Sequence, residues 1–346
     1  MSFYLNQRLI RRFWIVLVIV VFAIAVALLW RFSVTRRQTA TVENRITQIS
    51  TVNEPIQPIP PAPDLDREKV ALGDRLFHEP QLSHTNNISC ASCHNLNTGG
   101  VDRLVRSIGV NGVESLANSL TVFNSGFNFR QDWDGRFDTL EEHVDGAINN
   151  PRRMASSWSE VISKLKQSPD YVKVFGQIYD DGITALNVED AIATFERSLA
   201  TPNSRFDQFL KGDLSAITAL EKEGYRLFKT SGCVSCHQGV NVGGNLFQKF
   251  GIMGDYFSDR GNVTSGDFGR FNVTGKEEDR YVFKVPSLRN ITLTPPYFHD
   301  GSAPTLAEAI AIMAKYQLGR ELSPETNDLI VKFLNTLTGE YQDKHL

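Results

Sequence analysis

All four cysteines of the 346-residue chain fall in two short runs, Cys90-Ala91-Ser92-Cys93-His94 and Cys233-Val234-Ser235-Cys236-His237. A Cys-x-x-Cys pair spans about one helical turn, so both sulfurs reach the two vinyl groups of one porphyrin, and the histidine that follows coordinates the iron from beneath. The runs therefore predict two covalently bound haem c groups, one on Cys90, Cys93 and His94, the other on Cys233, Cys236 and His237. Zinc, thioredoxin-like and iron–sulfur readings of Cys-x-x-Cys compete poorly here. Each copy carries its own histidine, no cysteine is spare, and the pairs lie too far apart in sequence for one zinc ribbon.

A haem held by one histidine has a second face, and its occupant decides between electron transfer and chemistry. The side chains left for that position are His78, His84, His143, His299 and His345, with Met1, Met154, Met253 and Met313. Met313 shares an apolar helical stripe with Leu306, Ala309 and Ile310. Such a stripe is core in most proteins, but a domain that must close a haem gives the thioether a second use. A His237/Met313 pair would raise the reduction potential and suit that haem to accept electrons; Met253, in a Gly-rich loop, is the fallback ligand.

The elements that must hold these residues read as helices. Asp66 is a plausible N-cap for a helix carrying Val70, Leu72, Leu76 and Phe77 into the first haem motif. Helical patterns follow at residues 140–149, 158–166, 187–199 with Asn187 as cap, 216–228, 305–318, and 324–337 with Ser323 as cap and Pro324 in the first position. No run of alternating strands competes, and residues 251–280, rich in Gly and Asp, read as loop. Gly224-Tyr225-Arg226-Leu227-Phe228 precedes the second motif much as Gly73-Asp74-Arg75-Leu76-Phe77 precedes the first, and Gly99-Gly100 and Gly243-Gly244 follow them. This internal repeat predicts an all-α protein of two cytochrome c-like domains with long loops, preceded by an N-terminal transmembrane helix. The divisions are residues 1–32 as anchor, 33–65 as a Pro-rich tether, 66–204 as the first haem domain and 205–346 as the second.

A net charge of −3 gives no bulk attraction to nucleic acid. Residues 13–30 form an apolar run just long enough to cross a bilayer. Ala23-Ile24-Ala25 resembles a signal-peptide cleavage site, but it lies inside the run rather than after it. Arginines flank both ends, so the positive-inside rule gives no orientation. Because haem is attached to such motifs outside the cytoplasmic membrane, the expected location is a single-pass inner-membrane protein with its catalytic part in the periplasm or an equivalent lumen.

Beyond residue 69 the chain resembles the bacterial dihaem cytochrome c peroxidases. The matching pieces are Ser107-Ile108-Gly109, Thr121-Val122-Phe123-Asn124, Trp133-Asp134-Gly135-Arg136, Thr201-Pro202-Asn203, Val285-Pro286-Ser287-Leu288-Arg289-Asn290 and Pro296-Tyr297-Phe298-His299-Asp300-Gly301, with both haem motifs. The resemblance implies that hydrogen peroxide is reduced to water. Electrons from a small cytochrome c or a comparable donor would enter at the His237/Met313 haem, and peroxide would be cleaved at the His94 haem. It also implies that Trp133 lies between the haems. Asn118, with the carbonyls of Thr294 and Pro296, would form an interdomain calcium site, where oxygen ligands suit the ion. His299 matches a residue near the second haem, as a hydrogen-bonded histidine or as a ligand. A homodimer is compatible with the sequence.

Two positions depart from the family. Many members carry a histidine after Ser-Ile-Gly that caps the peroxidatic haem, and this chain has Val110, which cannot bind iron. The family's peroxide-handling glutamate aligns with Arg153. His143, where relatives commonly have glutamine, is the candidate replacement: it would move the peroxide proton while Arg153 stabilises developing negative charge, with Glu141 and Glu142 as secondary acids. The rival functions are a non-enzymatic dihaem electron carrier or redox sensor, and an oxidase of a protein substrate. Met313 argues against the oxidase, because the relative of that kind has tyrosine in its place.

Overall fold

The computed structural model describes Trp14, Trp30, residues 54–61 and residues 63–346. Apart from Trp14 and Trp30, the expected membrane run lies outside the described residues, and no described helix is long and apolar enough to cross a membrane. Residues 55–346 cluster as one unit whose two largest apolar cores are each built on a pair of crossing helices, with two smaller apolar clusters besides among the described residues.

The first core starts at α1 (Arg67–Phe77), whose N-cap Asp66 accepts hydrogen bonds from the Glu68 and Lys69 amides. A single turn, α2 (Cys90–Cys93), carries the first haem motif. Helices α3 (Leu140–Asn149), α4 (Trp158–Lys166), α5 (Pro169–Ile178) and α6 (Ala185–Ser198) complete this part. Leu72, Leu76 and Phe77 of α1 meet Val188, Ile192 and Phe195 of α6 in the core. They approach closely because Gly73 faces α6: a Cβ there would lie 2.0 Å from the Ala191 carbonyl oxygen.

The second core repeats the device. After the short α7 (Arg205–Leu210), α8 (Ala219–Thr230) leads into the second haem motif. Small helices α9 (Tyr256–Arg260) and α10 (Phe271–Thr274) interrupt the long loop. α11 (Leu306–Leu318) and α12 (Pro324–Asn335) follow, and α12 crosses α8 at Gly224, where a Cβ would lie 1.9 Å from the Leu329 carbonyl oxygen. The fold is helix-rich but not wholly helical. β1 (Phe247–Lys249) pairs antiparallel with β2 (Val282–Lys284), placing Phe247 opposite Lys284, and β3 (Glu340–Tyr341) pairs with β4 (Lys344–His345) near the C-terminus.

Several boundaries differ from the sequence reading. Thr184, not Asn187, caps α6, and Asn187 instead bonds Asp181 and the Gly182 carbonyl. α8 starts at Ala219 behind a Thr218/Glu221 capping box. α5, absent from the sequence reading, has Ser168 as cap and Pro169 in the first position. From Pro55 the Pro-rich segment is no free tether: Ile56 and Ile59 are each 1% exposed, and Ile56 is part of the second core. Arg289 holds that segment by donating to the Gln57 carbonyl (2.7 Å) while paired at 2.8 Å with the fully buried Asp207.

Candidate active site and haem cavities

Each Cys-x-x-Cys-His run lines its own cavity. In the first, α2 presents Cys90 and Cys93, and His94 follows at its end. The Ser119 hydroxyl donates to the Cys93 carbonyl (3.0 Å) and so accepts from His94 Nδ1 at 3.3 Å. In the second cavity His237 Nδ1 lies 3.2 Å from the Val242 carbonyl, which can only accept. Both imidazoles therefore carry their proton on Nδ1 and leave the Nε2 lone pair free. Burial pushes the His237 pKa down to about 4 and lowers that of His94, keeping both rings neutral. Two cavities, each with paired thiols and a neutral imidazole of the metal-binding tautomer, fit two haem c groups.

The first cavity has a polar wall. α3 supplies His143 beside Leu140, Val144 and Ala147; the turn after it supplies Arg153 and Met154; the preceding loop supplies Asp132 and Trp133. Arg153 Nη2 bonds both Asp132 carboxylate oxygens (2.9 and 2.6 Å), and Nη1 lies 3.3 Å from His143 Nε2. A guanidinium only donates, so His143 Nε2 accepts and its ring proton sits on Nδ1. Burial, with Arg153 adding to it, pushes His143 down to about 3 against the opposing pull of Asp132. Burial works against ionisation of Asp132 too, yet Arg153 and His143 hold its carboxyl well below the usual range.

Val110 is buried and is not among the residues lining this cavity; its amide donates to the Arg153 carbonyl at 2.9 Å. Gly109 makes this contact feasible, since a Cβ there would lie 2.2 Å from the Arg152 carbonyl oxygen. The loop expected to carry a capping histidine thus packs on the backbone of Arg152 and Arg153. Glu141 is spent on Arg197 (2.7 Å), and Glu142 accepts from the Asp138 amide (2.7 Å), so neither secondary acid joins the cavity wall. His84 and His78 are exposed and bonded to Glu160 and Asp74.

The second cavity is more apolar. Met313, on α11, lines it together with His237; Met253 also reaches it but is 61% exposed. Trp133 lines both cavities, and its indole Nε1 donates to the Asn118 carbonyl (2.8 Å). Asn118, Thr294 and Pro296 line the second cavity as well, and Asn118 Nδ2 donates to the Leu104 carbonyl at 2.7 Å. His299 is buried, stacks on Phe283 with ring centroids 4.4 Å apart, and bonds Asp267 through Nε2 (2.7 Å). Its structure is that of a hydrogen-bonded histidine.

Three cavity residues, Asp132, Lys284 and Glu196, escaped the sequence reading. Asp132 immediately precedes Trp133-Asp134-Gly135-Arg136, and Lys284 immediately precedes Val285-Pro286-Ser287-Leu288, so adjacency to matched segments was the available signal. Met154, one of the methionines considered for a haem's second face, is buried and lines the first cavity beside Arg153. Glu196 carried no signal: it lies in the apolar pattern of α6, where burial pushes its carboxyl up to about 8 and leaves Oε2 unpartnered.

A helix-rich chain with two such cavities is a dihaem c-type protein. Residues 67–215 match the family described as di-haem cytochrome c peroxidase. The cytochrome c peroxidase Ccp of Escherichia coli K12 is 49% identical over 297 residues, 84% of this chain and 63% of that protein, so the match spans less than two thirds of that relative. The cytochrome c551 peroxidase of Nitrosomonas europaea is 46% identical over 85% of this chain and 87% of its own length. A crystal structure of a MauG-like protein associated with microbial copper homeostasis superposes with a TM-score of 0.71 at 28% identity, covering 82% of this chain and 93% of that one. The chain belongs to the dihaem cytochrome c peroxidase family.

Proposed function

We propose that the protein reduces hydrogen peroxide to water at the His94 cavity, with electrons from a reduced small cytochrome c or a similar donor received at the His237 cavity. The observation that carries this reading is the Asp132–Arg153–His143 chain on the wall of the first cavity. When bound, the haem groups supply one-electron transfer on the His237/Met313 side and redox reduction of peroxide on the His94 side.

What the chain itself does follows from the hydrogen bonds. Breaking the O–O bond to give water requires a proton to reach the departing oxygen and charge there to be neutralised. Asp132 binds one face of the Arg153 guanidinium and so fixes its remaining donors. Arg153 is a permanent cation and serves the departing oxygen. His143, neutral at any pH well above 3, can accept a proton and is too weak a base to retain it, which suits a relay. Trp133, lining both cavities, is the chain's own group between them.

The same wall motivates the second reading, a dihaem carrier or sensor without turnover, because Arg153 stands where an acid is expected and His143 is a weak base. The spin state of the ferric holoprotein and the activity of H143A test the proposal. One high-spin and one low-spin haem, with peroxide turnover reduced about 10²–10⁴-fold in H143A, is the expected result. Two low-spin haems, or unchanged turnover in H143A, would overturn the open, His143-assisted site.

Further parts of the proposal are a calcium ion on Asn118, Thr294 and Pro296, and an anchor at residues 13–30 with the haem domains outside the cytoplasmic membrane. That Asn118, Thr294 and Pro296, which all offer oxygen ligands, line one cavity supports the ion, and the length of the apolar run supports the anchor. Retention in membranes washed at alkaline pH is expected; release by that wash would remove the anchor.

A further inference from the structure

Lys284 is 2% exposed, belongs to β2, and lines both cavities. Its amide donates to the Trp133 carbonyl at 2.8 Å, which fixes its backbone at the junction. Among the described residues its ammonium has no hydrogen bond and no ion pair within 4 Å; Asp132 attracts it only at longer range. The nearby carboxylates are already committed, Asp132 to Arg153 and Asp134 to Arg136. A buried cation without a counter-charge is strongly disfavoured, so an anion from outside the polypeptide is the missing partner. The anionic groups of the molecules that fit these cavities are porphyrin propionates.

We propose that Lys284 is a carboxylate-binding residue that holds a haem propionate where the two cavities meet, and that its charge raises the reduction potential of the haem it holds. Each reduction of a haem adds one negative charge, so a fixed cation beside the porphyrin favours the reduced state. The proposal rests on the two-haem reading and not on peroxide turnover, so absence of turnover would leave it standing.

The test uses holoprotein in which both haems are counted by mass. K284Q keeps a donor of similar length but removes the charge, and K284R keeps the charge. A redox titration followed by visible spectra should show one haem potential lowered in K284Q and largely restored in K284R, and resonance Raman should show a shifted propionate-bending band in K284Q. Unchanged potentials and an unchanged band in K284Q would overturn the assignment. Should K284Q fail to load both haems, the isosteric uncharged K284M decides: an unchanged potential and an unshifted propionate band there would also overturn it.

Discussion

At the scale of single residues the polar wall of the first cavity turns on neutrality. A free imidazole titrates near 6.5, whereas His143 in the fold titrates at about 3. Between those values the unfolded chain takes up a proton that the native state does not, so stability is fully present above about 6.5 and falls as pH drops towards 3. H143Q should therefore lose about 1–2 kcal/mol less stability than wild type between pH 7 and pH 5, read from urea midpoints, and identical pH slopes would argue that His143 is not buried neutral. That Cys90, Cys93 and His94 share one cavity with His143 and Arg153 is legible in the sequence because motif spacing and family pattern mark each one. Asp132 and Lys284 are not legible. Their roles arise from contacts across 21 positions to Arg153 and from a strand that brings residue 284 under Trp133, and local composition records neither.

At the scale of elements, the two main apolar cores rest on the same steric device. Gly73 and Gly224 let an entering helix and a returning helix touch backbone to backbone, α1 on α6 and α8 on α12. G73A and G224A should each destabilise the holoprotein by about 1–3 kcal/mol through overpacking, measured by thermal or urea unfolding, and an effect at one crossing alone would contradict the shared design. The repeat around these glycines is visible in sequence, as are most of the helices, since their apolar periodicity is strong. Helix starts were less legible: where Thr184 and Asn187 are both good caps, the choice depends on Asn187 finding Asp181 and Gly182, a contact set by the turn before the helix. α5 was hidden because its Ser168-Pro169 start reads equally well as a turn.

For the whole molecule, the Pro-rich entry segment is docked rather than free from Pro55 onward, and Arg289 is the clamp. It joins Asp207, Ser204, the Val240 carbonyl and the Gln57 carbonyl in one buried network. R289M should cost about 3–5 kcal/mol, because Asp207 would be left buried without its cation, and it should expose residues 55–60 to proteolysis. Loss of stability with unchanged protection of that segment would mean the segment is held by Ile56 and Ile59 alone. Composition read this stretch as a spacer, since prolines disfavour helix and strand alike; its two isoleucines were the overlooked sign of burial. The central claim concerns function, and its most direct test is steady-state consumption of hydrogen peroxide by the dihaem protein supplied with a reduced small cytochrome c. Sustained turnover with two cytochromes oxidised per peroxide is the predicted result. Negligible turnover while both haems remain reducible would contradict it and leave the protein an electron carrier or sensor.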